Sequence, residues 1–379
     1  MRATEAIQAA RRAMEICNSC RFCGGYCAVF QVAALRRTFS NADLGYMANL
    51  CHNCRNCYYA CQYAPPHEFA LNLPQRFAQI RTETYEEYAW PRPLGRAFRR
   101  RGAVVSVTVA LCITIALILA IGLQSPATRF VPRIGPGAFY LVIPWKVMVS
   151  VAGSSLCLSL ILVSVGVFGF WRDTKGQVPK PIHRQALRRA AFDVLTLRNL
   201  GGGGIGCSDN DAAFSAARRR SHHLMLYGLA LCFGSTALAT IYDHILGWPA
   251  PYPLDSMPVV LGTLGGFGVI IGAGRLAWLK SICDQTPAAR NFLSADFAPL
   301  YLLMLVATSG LLLLAFRATA AMSVLLAIHV GIVLSLFVLI PYSQFIHGPY
   351  RAAALLRAAM ERAVAPGKHQ SVAPRFDAS

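Results

Sequence analysis

CNSCRFCGGYC at 17–27 and CHNCRNCYYAC at 51–61 carry the same spacing, C-x2-C-x2-C-x3-C, and hold eight of the 13 cysteines in the chain. Three thiolates two residues apart can wrap a loop around one [4Fe–4S] cubane. The fourth, on the helix that follows, points away toward a second cubane. The spacing therefore predicts one cluster on Cys17, Cys20, Cys23 and Cys61, and another on Cys51, Cys54, Cys57 and Cys27. The pattern usually closes in Cys-Pro, whereas Ala28 and Gln62 follow here. Zinc favours pairs of C-x2-C, and disulfides need an oxidising compartment; both stand as alternatives. The other cysteines, 112, 157, 207, 232 and 283, are scattered, and all but Cys207 read as helix-packing residues.

Upstream, MRATEAIQAARRAMEICNSC (1–20) has no apolar core run, so the N-terminus is expected in the cytoplasm. Residues 1–100 are polar enough to fold in water as a ferredoxin-like helical domain. Downstream the character changes. Of the 379 residues 55% are hydrophobic and only 14% charged, which excludes both an ordinary soluble protein and a disordered one. Six runs are long enough to cross a bilayer: 102–123, 147–170, 223–246, 258–279, 297–316 and 322–346. The expected plan is mostly α: an iron–sulfur domain at 1–100, a six-helix cytochrome-b-like transmembrane bundle at 101–350 with a cytoplasmic loop at 171–222, and a cytoplasmic tail at 351–379.

The net charge of +19 belongs to this topology. With the N-terminus inside, the outer segments hold only Arg129, Arg133, Lys146 and Arg317, and the other 32 of 36 basic residues lie on the inner side. No nucleic-acid role is needed to explain the charge. Within loop 171–222, Arg184–Leu200 is a basic amphipathic stretch suited to the inner membrane surface. Gly201–Cys207 lacks the ending of a phosphate loop and reads as a flexible or tight turn. Gly262, Gly265, Gly266, Gly268 and Gly272 read as a close helix-packing stripe.

Histidines in membrane helices are functional candidates. His329 and His347 are about five turns apart, on one face of a continuous helix. The third run offers His222 or His223 near the inner face and His244 near the outer. His222/His223 with His347, and His244 with His329, are therefore candidate ligand pairs for one or two b haems. The sequence leaves the choice between His222 and His223 open.

CRFCGGYCAVF (20–30), LCHNCRNCYYACQYAPPHEFALNLP (50–74), GGGGIGC (201–207), SHHL (221–224), GWPAPYPL (247–254) and IPYSQFIHGPYR (340–351) resemble the citrate/tricarballylate utilisation protein B family (TcuB/CitB) and the C-terminal module of CobZ proteins. That resemblance implies a membrane iron–sulfur subunit of the bacterial inner membrane. It would reoxidise a partner FAD-dependent tricarballylate dehydrogenase and pass electrons to the quinone pool. CobZ-type relatives are associated with b haem and would change the job to cobalamin biosynthesis. The membrane half more loosely resembles the gamma subunit of respiratory nitrate reductases. From a different class comes a zinc-stabilised membrane anchor without redox role; a transporter is weaker, because intramembrane acids are nearly absent. No catalytic residue or dinucleotide fingerprint is evident. Arg21, Arg36, Arg37, Arg55 and Arg76 are candidates for docking an acidic partner.

Overall fold

The computed structural model describes residues 4–123, 131–176, 183–202, 206–289 and 293–364. Among them the secondary structure is helical, with one isolated antiparallel bridge between Cys207 and Ser215. The N-terminal cap comprises α1 (Glu5–Cys20), α2 (Ala28–Ala33), α3 (Asn41–Leu50), α4 (Asn56–Tyr59) and α5 (Leu73–Tyr88). Local signals start these helices where they should. Thr4 caps α1, Ser40 and Asp43 form a reciprocal capping box on α3, and Asn72 caps α5 ahead of Pro74. Ile7, Met14, Leu44, Met47, Phe77 and Ile80 are fully buried between them. Each such side chain contributes about 1.5–3 kcal/mol.

Six further helices are long and apolar enough to cross a membrane, which makes this a multi-pass membrane protein. They are α6 (Arg92–Gly122), α7 (Trp145–Thr174), α9 (Ala217–His244), α10 (Met257–Ile282), α11 (Leu293–Ala315) and α12 (Met322–Leu339), with the short α8 (Arg184–Leu195) between α7 and α9. Five of the six runs expected from hydropathy lie within these helices to within two residues at either end. The helices extend beyond them because polar end turns continue the backbone hydrogen bonding. Thus α6 starts at Arg92, not at 102, and bends at Arg101 (φ −142°, ψ 46°) as it leaves the cap.

The sixth run differs. α12 stops at Leu339, whereas a continuous helix to 346 was expected. Pro341 explains the stop: it has no N–H for the helix ladder, and its ring clashes with the preceding turn. The chain turns through Gln344–Ile346 and starts α13 (His347–Val364). His329 and His347 therefore occupy different helices, and the shared face that the 18-residue interval implied does not exist. α13 also replaces the tail expected from 351; residues 365–379 lie outside the described residues.

α13 packs into the cap. Ala354, Leu355 and Ala358 are buried in the same core as Ile7 and Phe77. Arg357 lies 3.9 Å over the Tyr46 ring. Arg36 bridges Asp43 (2.8 Å) and Glu361 (2.7 Å), and Arg357 meets the same two acids at 3.2 and 2.9 Å. One face of α8 seats Ala186 and Ala190 on Ala359 and Met360, while Leu187, Phe192 and Leu195 are exposed.

The glycine stripe does its expected work. A Cβ on Gly265 would lie 2.7 Å from the Gly228 carbonyl oxygen and 2.8 Å from Cys232 N, so α9 and α10 touch backbone to backbone. We expect Gly265→Leu to force them apart and to cost about 1–3 kcal/mol. Thermal unfolding in detergent checks this, and an unchanged midpoint would refute the contact.

Burial raises the Asp43 carboxyl, but hydrogen bonds from Ser40 and Arg36, with the charges of Arg36 and Arg357, lower it further, leaving it below its usual value. A depressed acid contributes stability above its unfolded value, about 3.9, and loses it as pH falls through the folded value. We therefore expect wild type to melt above Asp43→Asn at pH 6 and the gap to narrow as the pH is lowered to 3. A gap unchanged between the two would show that the carboxylate charge contributes nothing.

Candidate iron–sulfur and histidine centres

The two cysteine motifs are built alike. α1 brings Cys17 and Cys20 to its last turn, and Arg21 turns the chain in the left-handed region (φ 56°), so that Cys23 comes back toward them. Cys27 then sits at the start of α2. In the second motif, Cys51 ends α3, Asn53 (φ 55°) and Arg55 (φ 66°) turn the loop, and Cys57 enters α4 with Cys61 just beyond it. A left-handed non-glycine residue costs about 1–2 kcal/mol. Arg55 offsets it by donating to the carbonyls of Asp209 (3.1 Å) and Asp284 (2.8 Å) while lying 3.4 Å from Cys283 Sγ.

The structure brings the thiols together in two groups. A cavity of about 180 Å³ is lined by Cys17, Cys20, Cys23 and Cys61 together with Cys57, which also borders the second cavity. A second, narrower cavity is lined by Cys27, Cys51, Cys54 and Cys57. Burial first, and then the neighbouring cysteines, push Cys17, Cys23 and Cys27 up to about 12. Such thiols become thiolates only opposite concentrated positive charge. Among the described residues, no three or more His, Cys, Asp or Glu converge on a point where one metal ion could sit. A cubane, whose four corner irons each take one thiolate, suits thiols spread around a cavity.

The second motif is clasped by the loop before α9. Asn56 Nδ2 donates to the carbonyls of Gly202 (3.3 Å) and Gly206 (3.0 Å), and Ser208 N donates to Cys54 O (3.0 Å) and Asn56 Oδ1 (3.0 Å). A Cβ on Gly206 (φ 127°) would lie 2.9 Å from Ser215 N, so this turn requires glycine. Residues 203–205 of the glycine run lie outside the described residues. Cys207 is buried, its thiol donating to Leu200 O (2.9 Å). Tyr58 and Tyr63 line the first cavity, and the Tyr59 hydroxyl donates to Asp284 (2.8 Å).

The histidines divide. His222, near the start of α9, faces His347, at the start of α13, with ring centroids 6.2 Å apart and planes at 76°. His222 Nδ1 is buried without a hydrogen-bond partner among the described residues. His347 Nδ1 bonds the Gln344 carbonyl. A carbonyl only accepts, so Nδ1 carries the proton and Nε2 keeps its lone pair. Burial, then Arg351 and His222, push His347 down to about 3, so the imidazole is neutral at pH 7. His223 turns elsewhere: its Nε2 donates to Thr196 O (3.0 Å) and its ring stacks on Tyr227. The outer candidates are not brought together in the same way. His244 lies edge-on to Trp145, and His329 Nδ1 meets Ser309 Oγ (3.0 Å) beside Gly310; among the described contacts none joins the two rings.

Sequence reasoning missed three arginines. Arg218 donates to Asn53 O (2.7 Å) and His52 O (2.9 Å), Arg351 to Cys51 O (3.0 Å), and Arg81 to Ala48 O (3.0 Å) and Cys51 O (3.1 Å). Arg218 is one turn before His222, and Arg351 one turn after His347; that paired spacing was the signal available. Two residues considered for docking an acidic partner are committed inside: Arg36 to Asp43 and Glu361, and Arg55, buried, to loop carbonyls.

Fold and site together define a cysteine-rich, ferredoxin-like cap on a six-helix membrane bundle. Residues 10–87 match the Citrate utilization protein B Fer4-like domain, and residues 98–367 match Citrate utilization protein B. The chain is 43% identical over 367 residues to Citrate utilization protein B of Escherichia coli, covering 95% of this chain and 93% of that relative. The chain belongs to the citrate utilization protein B family. No solved structure matches it.

Proposed function

We propose that this chain is the membrane electron-transfer subunit of a citrate or tricarballylate utilisation system. It accepts reducing equivalents from a soluble FAD-dependent dehydrogenase and delivers them to membrane quinone. The observation that carries the reading is the presence of two cysteine-lined cavities in the cap together with a facing histidine pair where α9 and α13 begin. Cys17, Cys20, Cys23 and Cys61 would hold one [4Fe–4S] cluster, and Cys51, Cys54, Cys57 and Cys27 the other. His222 and His347 would hold a b haem. Their ring centroids, 6.2 Å apart, are close enough for both imidazoles to serve one iron. When bound, these groups supply one-electron uptake and release at iron.

The protein's own residues do the rest. All eight motif thiols are half-buried, and the first cavity is the one bordered by Phe22, which is 68% exposed, so a partner docks at the first. Gln344 orients His347, and the Thr196 carbonyl keeps His223 from competing. The basic bias of the inner segments supports a cytoplasmic cap on a bundle in the bacterial inner membrane.

The test is iron and acid-labile sulfide analysis with optical and EPR spectra, oxidised and dithionite-reduced. About eight irons per chain in clusters and a reduced b-type band are expected; zinc without visible absorption would overturn the reading. Cys54→Ser should remove one cluster and lower quinone reduction at least tenfold while membrane insertion persists, and undiminished quinone reduction would exclude Cys54 as a ligand. His347→Ala and His222→Ala should each abolish the b-type band and His223→Ala should keep it. A band that survives His347→Ala would sink the haem assignment.

A further inference from the structure

The second thiol group is enclosed by guanidinium groups from three separate parts of the chain. Arg81 comes from α5, Arg218 from α9 and Arg351 from α13, and all three donate to carbonyl oxygens between Ala48 and Asn53. Arg55 adds a fourth charge from within the motif. With its carbonyls turned out to the arginines, the loop turns amides in toward sulfur. Asn53 N lies 3.4 Å from Cys51 Sγ, the Asn56 amide bonds Cys54, and the Val29 and Phe30 amides bond Cys27. The acids nearby are Asp209, Asp284 and Asp296; the Asp284 carboxylate is engaged by the Tyr59 hydroxyl and Thr286 N, and Asp296 is paired with Lys280 (2.7 Å). Among the described residues, no ion pair joins Arg81, Arg218 or Arg351 to a carboxylate. The first group stands in a different setting. Its cavity opens at Phe22, and the nearest side-chain donor to Cys20 is Gln62 Nε2 at 4.0 Å.

Fixed positive charge, N–H···S bonds and exclusion of water act on a cluster's reduction potential, and the first two favour the reduced, more negative state. We propose that Arg218 and Arg351 are positioning residues that raise the reduction potential of the cluster on Cys27, Cys51, Cys54 and Cys57 above that of its neighbour. This rests on the iron–sulfur reading above. One electron then moves downhill from the open group to the enclosed group; the first is oxidised, the second reduced, and no bond forms or breaks. The partner flavin is the reductant, and quinone beyond the bundle is the final oxidant. The same two helices present His222 and His347 one turn further on, so the inward direction is built into the Arg-x3-His and His-x3-Arg spacings.

The test is a redox titration of the full-length protein followed by EPR. Wild type should show two resolved cluster midpoints. Arg218→Gln and Arg351→Gln should each move the higher midpoint down and leave the lower in place. Arg218→Lys and Arg351→Lys, which keep the charge, should hold it near wild type. A single shared midpoint in wild type, equal movement of both midpoints in the Gln variants, or Lys variants that fall as far as Gln would each overturn the inference. If a Gln variant loses its cluster, the wild-type midpoints and the Lys variants decide. Iron and sulfide content of wild type is measured first. Without clusters the electron-transfer reading itself fails; with clusters present and midpoints alike, only this inference fails.

Discussion

The carbonyl oxygens of Cys51, His52 and Asn53 are held by arginines that arrive from α9 and α13, and much of the molecule is arranged so that they can arrive. A short loop that turns four thiols inward must point its carbonyls the other way. Left buried and unpaired, each would cost about 1–3 kcal/mol. Long cationic side chains from the helix ends nearest the cap make those bonds. The arginine planes suit this role because one guanidinium reaches two carbonyls at once. The grip fixes the loop and, with it, the distance between the cap and the membrane helices.

The cysteine spacing was readable because it is local: a loop and the helix after it are set by a few residues. The six spans were readable because a bilayer imposes length and hydropathy on any helix that crosses it. What escaped reading depended on distance along the chain. Arg218 and Arg351 look like ordinary positive-inside residues, and only the fold shows that they meet Cys51 and Asn53. The break after Leu339 was signalled by Pro341, yet the apolar run continued past it and masked the signal. His222 and His223 were indistinguishable as neighbours; the carbonyl of Thr196, twenty-seven residues away in sequence, separates them.

The outer histidines show the opposite error of reading periodicity without the partner helix. Equal depth on two helices does not make two side chains face each other. His244 is spent on Trp145 near the helix end, and His329 faces Ser309 and the small Gly310. At the inner end, the turn through Gln344–Ile346 frees His347 from the direction of α12 and lets it face α9. The helix break that undid the predicted alignment is thus what brings the inner pair together.

The seating of α13 against α2, α3 and α5 also fixes an order of events in the making of the protein. Ribosomes deliver the cap first and α13 last, with six membrane segments in between. Until α13 has emerged, the core around Leu44 and Phe77 lacks Leu355 and Ala358, and the loop at Cys51 lacks Arg351. The half-built cap must wait, with its thiols reduced and its apolar surface open, for the entire bundle to be threaded into the bilayer. Completion of the cap is therefore a late event in biogenesis, and a truncated nascent chain would expose the very surface that the finished molecule closes.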